Sequence, residues 1–130
     1  MHLDSCFLID LHREKFRRQD GPAHRFLKSH PAEPFSVSVV AAMEYCEGFE
    51  DKDLWKGQRF LEPFEIVPIG QKAALRASRI RRSLRIKGLL LPDNDILIAA
   101  CSMEAGQPLA TRNAHHFCRI EGLEIVNYRS

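Results

Sequence analysis

Two hydrophobic periods run through the chain. Phe35-Ser36-Val37-Ser38-Val39 alternates residue by residue behind the breakers Pro31 and Pro34, which predicts a strand. Ala73, Ala77, Ile80 and Leu84 instead recur at helical steps, which predicts an amphipathic helix over 71–87 that Gly88 stops. Met1 to Ile9 reads as a short strand running into a turn and helix, with Asp4 at the strand's C-terminal end because an unpaired acid is costly to bury. Residues 10–29 are charged with a helical period, broken at Gly21-Pro22, with Phe16, Phe26 and Leu27 expected to face inward. Helices are predicted over 40–49 and 51–64, and a third strand over 64–67, closed by Pro68 and Gly70. Ile96 to Cys101 has no polar side chain and reads as a helix buried on nearly all sides that ends at Gly106. A strand over 108–111, a helical turn from Ala114 and a last strand over 123–126 complete the order.

Strands alternating with helices imply βαβ units and a parallel sheet covered on both faces. The expectation is one α/β domain over residues 1–130, three layers deep in the order α/β/α, with no repeat and no linker.

In such a sheet functional groups gather beyond the carboxyl ends of the strands. Asp4 ends the first strand, and Thr111-Arg112-Asn113 follows the fourth. Glu44 lies in the helix after the second strand, and Asp95 opens the buried helix before the fourth. Each has a plain explanation: a turn former at Asp4, a solvated helix residue at Glu44, and caps at Asp95 and Asn113. Capping, however, needs one side chain, and Asp93, Asn94 and Asp95 crowd the same entrance. Glu44 is flanked by Ala41, Ala42, Met43 and Tyr45, which do not mark a wet face. Taken together, the acids can share a pocket, where their mutual repulsion calls for a cation. Oxygen ligands without His or Cys at metal-binding spacing favour Mg²⁺, with Mn²⁺ as the substitute, over zinc.

Composition narrows the partners. With 45% hydrophobic and 28% charged residues the chain is ordinary globular material, and a formal charge of +2 does not by itself mark a nucleic-acid binder. The distribution says more: no acid occurs between Ile66 and Pro92, where Lys72, Arg76, Arg79, Arg81, Arg82, Arg85 and Lys87 surround the apolar stripe. That helix is either a solvated face or a track for phosphates. Cys6, Cys46, Cys101 and Cys118 are scattered without a C-x-x-C pair, so reduced thiols acting as small hydrophobes are expected. No secretory leader or membrane-spanning run is evident, so a cytoplasmic protein without a membrane partner is expected.

Four segments carry a family resemblance. Leu3-Asp4-Ser5-Cys6-Phe7-Leu8-Ile9 is similar to an opening L-D-T-x-x-[LI]-I motif, and Ser38-Val39-Val40-Ala41-Ala42-Met43-Glu44 to a second motif ending in an acid. Asn94-Asp95-Ile96-Leu97-Ile98-Ala99-Ala100 matches N-D-x-x-I-A-A. Thr111-Arg112-Asn113 through Phe117, then Gly122 to Val126, resembles the closing T-x-N-x-x-x-F…G-L-x-[IV] pattern. The chain resembles a PIN domain end to end, and more narrowly the VapC-type toxin ribonucleases of toxin–antitoxin pairs. The resemblance implies an acidic cluster of Asp4, Glu44 and Asp95, with Asp4 and Asp95 as direct Mg²⁺ ligands and Asn113 completing the pocket. It implies a Mg²⁺-dependent endoribonuclease that forms a homodimer and is inhibited by a small antitoxin protein. One departure stands out: relatives often place a fourth acid directly before the Phe, where this chain has His116. One well-occupied metal is therefore expected without substrate, with Asp93 as a spare acid.

On this reading an RNA phosphodiester is hydrolysed, and Glu44 and Asp4 are both candidates to hold the attacking water, as base or as ligand. Arg76, Arg79, Arg82, Arg85 and Arg112 are the candidate RNA contacts. Leu54, Trp55, Phe60 and Phe64 divide between core and antitoxin docking. One rival is a PIN-like RNA-binding module without catalysis. The other is a doubly wound phosphotransfer domain with Asp4 as nucleophile, for which the chain offers no suitably placed Lys.

Overall fold

A computed structural model describes residues 1–130. The strands are short: β1 (His2–Leu3), β2 (Ser36–Ser38), β3 (Glu65–Val67), β4 (Leu109–Thr111) and β5 (Ile125–Asn127). Between them lie α1 (Ser5–Phe16) and α2 (Pro22–Ser29), α3 (Val39–Cys46) and α4 (Leu54–Leu61), α5 (Gln71–Ile86) and α6 (Asp93–Glu104), and the single turn α7 (Ala114–Phe117). A 3₁₀ turn, Asp51–Asp53, leads into α4. No helix is long and apolar enough to cross a membrane.

All strand pairs are parallel, in the order β3-β2-β1-β4-β5. Leu3 is the hub, paired with Val37 on one side and Ala110 on the other. Successive strand residues point to opposite faces, yet His2, Leu3, Ser36, Val37, Leu109 and Ala110 are all buried. Both faces of the sheet centre are therefore covered by helices, which gives the expected three layers. Strand order reverses between β1 and β4, and the crevice beyond their carboxyl ends is where such sheets bind ligands.

Local chemistry explains the joints. Ser38 closes β2 and caps α3, its hydroxyl accepting from the Ala41 N–H at 3.1 Å. Pro22 sits in the first turn of α2, where no N–H is needed. Glu14 takes over the capping: its carboxylate accepts the backbone N–H groups of Gly21, Ala23 and His24 at 2.8 to 3.0 Å. Gly88 and Gly106 adopt positive φ just past the ends of α5 and α6. Phe7, Leu8, Val37, Ile96, Ile98 and Phe117 anchor one continuous core. Fully burying each such side chain contributes roughly 1.5–3 kcal/mol.

Three expectations change. Phe16, the last residue of α1, is not an inward contact but 84% exposed. Cys118 is exposed rather than packed; all four cysteines are free. Of the aromatic and apolar residues around α4, Phe60 and Phe64 pack against the core, whereas Leu54 and Trp55 stay largely open to solvent.

Candidate active site

Asp4 leaves the end of β1 in extended conformation and is 3% exposed. Its Oδ1 accepts the Ser5 N–H at 2.8 Å, so it is the N-cap of α1. The other oxygen is held from across the sheet: the Thr111 hydroxyl donates to Oδ2 at 2.8 Å, and the Cys6 thiol at 3.2 Å. Thr111 Oγ1 in turn accepts the Asn113 N–H at 3.0 Å, which ties the turn after β4 to the acid after β1. Burial, reinforced by the Asp4 charge, pushes the Cys6 thiol up to about 11. It is a proton-bearing strut and not a nucleophile.

Asp95 lies in the first turn of α6, yet it caps nothing. Pro92 occupies the N-cap position and no side chain closes that helix end. The one basic side chain within 4 Å of the Asp95 carboxylate is His116, with Nδ1 3.6 Å from Oδ2. Desolvation, then the charges of Asp4 and Glu44, push the Asp95 carboxyl up to about 6. That mutual repulsion is the electrostatic signature of acids facing one pocket.

Glu44 completes the group from α3. Its Oε2 meets the Asn94 amide only at 3.5 Å, while Oε1 is buried with no hydrogen-bond partner. An orphaned carboxylate oxygen in this position costs stability unless something positive reaches it. Asn113 occupies the N-cap position of α7 but makes no side-chain cap bond, which leaves its amide free toward the crevice end of β4. The donor set is oxygen-rich and negative, and it fits a hard divalent cation. It is not a ready-made cage: no group of three or more His, Cys, Asp or Glu side chains is drawn together at ion-holding distance. Like charges resist being packed that closely.

The remaining expected residues separate. Arg76 pairs with Glu104 at 2.8 Å and Arg112 with Asp10 at 2.6 Å. Asp93 is turned outward onto Arg81 at 2.9 Å and is no spare ligand. Arg79, Arg82 and Arg85 form no ion pair and remain exposed on α5. Thr111 and Cys6 were missed as site residues. The signal in the sequence was a threonine two places before Asn113 at the end of a predicted strand; Cys6 carried none.

The PIN domain family matches residues 1–123, across all the elements that carry these acids. A ribonuclease VapC1 of Methanocaldococcus jannaschii is 36% identical over 95 residues, covering 71% of this chain and 70% of that protein. The chain belongs to the PIN domain family. A tRNA(fMet)-specific endonuclease VapC of Salmonella typhimurium aligns with this PIN domain over 128 residues at 25% identity, covering 94% of this chain and 97% of the relative. In structure, the DNA-bound VapBC of Salmonella typhimurium superposes with TM-score 0.85 at 23% identity, covering 98% of this chain and 96% of that one. That last likeness speaks for the fold alone.

Proposed function

We propose that this PIN domain is a Mg²⁺-dependent endoribonuclease, the toxin of a VapBC-type toxin–antitoxin pair, with Asp4, Glu44 and Asp95 as its metal ligands. One observation carries the reading: Glu44 Oε1 is buried without a partner, in a group of acids where burial first, and then the charges of Asp4 and Glu44, raise Asp95. When bound, the ion supplies an activated water and a counter-charge for the departing oxygen; Mn²⁺ has the same ligand preference.

The chain's own residues divide the rest of the work. Thr111, Ser5 and Cys6 hold Asp4 in one rotamer, so its oxygens are aimed before substrate arrives. Glu44 Oε1, which has no partner, is the oxygen left for the ion or the attacking water, as ligand or as base. The unengaged amide of Asn113 can donate to a phosphate oxygen. Arg79, Arg82 and Arg85 offer phosphate contacts that grip RNA without reading its sequence. The VapC relatives named as ribonuclease and endonuclease support the same activity.

A small antitoxin and a second copy of the chain are the proposed protein partners. A toxin–antitoxin complex from Klebsiella pneumoniae, 27% identical with TM-score 0.73, supports the first. Leu54 and Trp55, exposed at the start of α4, provide apolar surface for such docking.

The alternative is an RNA-binding module that does not cut, favoured by His116 facing Asp95 and by the absence of a preformed ion cage. Incubating the purified protein with RNA decides between them. Mg²⁺-dependent cleavage that disappears in Asp95→Asn supports the nuclease; RNA binding with no cleavage at any Mg²⁺ or Mn²⁺ concentration overturns it.

A further inference from the structure

Away from the crevice, Asp10 presents a second buried carboxylate that the proposed chemistry does not use. It is 5% exposed and accepts from donors on two distant segments. Arg112 Nη1 donates to Oδ1 at 2.6 Å, and Tyr128 Oη and Arg129 Nη2 donate to Oδ2 at 2.6 and 2.8 Å. The identity of one partner matters most. Arg112 stands between Thr111, which holds Asp4, and Asn113, whose N–H returns to Thr111. Its side chain is pinned to α1 by Asp10, while Thr111 beside it lies 3.5 Å from Cys6 Sγ, another residue holding Asp4. Tyr128 closes the loop, donating to Asp10 and lying 3.8 Å from Cys6 Sγ.

We infer that Asp10 and Arg112 form a tether that positions the Thr111–Asn113 turn, and through it Asp4, so that Arg112 is a positioning residue and not an RNA ligand. A carboxylate this buried is retained because its charge has an opposite charge to hold. A short charged bond fixes one edge of the Arg112 guanidinium on Asp10, so its orientation is set by α1 before any phosphate arrives. Asp4 and Asp10 are about 9 Å apart along the helix, at 1.5 Å per residue, and the hydrogen-bonded path from Asp10 to Asp4 runs through the Thr111–Asn113 turn. The residues that orient metal ligands matter nearly as much as the ligands, and their loss typically lowers affinity or rate about 10- to 100-fold.

The inference rests on the nuclease reading for its kinetic test but has a second readout that does not. With RNA and Mg²⁺, Arg112→Gln is expected to lower kcat about 10- to 100-fold with KM and its salt dependence unchanged. Asp10→Asn is expected to do the same, and the double variant to lose no more than either single one, because the pair acts as a unit. An Arg112→Gln protein with normal kcat, raised KM and a shallower salt dependence would make Arg112 a phosphate ligand and overturn the tether. Independent, multiplying losses in the double variant would also overturn it. Should Asp10→Asn not fold, the kcat and KM split of Arg112→Gln decides alone. The metal-side readout is Mn²⁺ titration followed by electron paramagnetic resonance, with amide exchange at residues 111–114. Weaker Mn²⁺ binding and faster exchange in Arg112→Gln support the tether, and unchanged values refute it. If the unmodified protein cuts no RNA, the proposed function fails while the Mn²⁺ and exchange measurements still decide for or against the tether.

Discussion

Asp10 and Asp95 are both acids withdrawn from water, and their surroundings are opposite. Asp10 receives two arginines and a tyrosine hydroxyl. Asp95 receives no backbone cap, a single histidine at 3.6 Å and the repulsion of Asp4 and Glu44. A satisfied buried charge locks the fold, whereas an unsatisfied one is strain kept for a ligand still to come. In this molecule Asp10 is linked to Asp4, one of the acids that repel Asp95, through α1 and the Thr111–Asn113 turn. The locked acid thereby braces the strained cluster.

The contrast is sharpest where function is measured. Asp95→Asn removes a proposed ligand and is expected to lower RNA cleavage by roughly 10³–10⁴-fold, read in single-turnover assays with Mg²⁺. A loss below tenfold would mean that the strained acid is not reserved for catalysis. Stability should answer in reverse. Asp10→Ala leaves two partly solvated arginines without their shared acid and is expected to cost about 1–3 kcal/mol in urea unfolding. An Asp10→Ala protein of unchanged stability would erase the distinction between the two sites.

The pH dependence carries a sign that separates them further. Asp95 ionises near 6 in the folded protein against an ordinary value of 3.8. Its contribution to stability is therefore fully present below about pH 4 and is lost as pH rises through 6. In metal-free buffer Asp95→Asn is expected to be more stable than the unmodified chain by roughly 1–3 kcal/mol at pH 8, the gap closing toward pH 4. Buried His2 works the other way: desolvation and the N-terminal charge lower it to about 4, so its contribution is lost as pH falls from 6.5 toward 4. Comparing the variant with the unmodified chain at each pH isolates the Asp95 effect.

The smallest expected effects concern the arginines, which divide as the acids do. Arg76 is occupied by Glu104, while Arg79, Arg82 and Arg85 form no ion pair. Replacing any of the latter three by Ala should weaken RNA binding evenly across sequences and reduce the salt slope by about 0.7 for each phosphate no longer neutralised. Arg76→Ala should change the slope less. Fluorescence anisotropy across a salt series measures both, and equal slopes would dissolve the division.

Much of the candidate site was legible before any coordinates. Asp4 and Asn113 follow predicted strands, Glu44 has an apolar neighbourhood and Asp95 crowds a helix entrance, all local patterns in the chain. The capping explanation for Asp95 was equally local, and it fails because Pro92 takes the cap position. Phe16 is a parallel case, since a helical period cannot show that the last residue of the helix is left without anything packed over it. Asp10 was illegible as a node: it reads as one more charge in a polar helix, and its partners lie 102, 118 and 119 residues away.

By itself the order of residues determined the alternation of strands and helices, the parallel sheet and the placing of acids at strand ends. Those follow from periodicity and turn chemistry within a few neighbours of each position. Only the tertiary structure decided which charges are spent and which are free. It gave Arg112 and Arg76 to acids, turned Asp93 outward and left Glu44 Oε1 without a partner. Charge pairing depends on distance in space, and the chain sets that distance only when remote segments pack together.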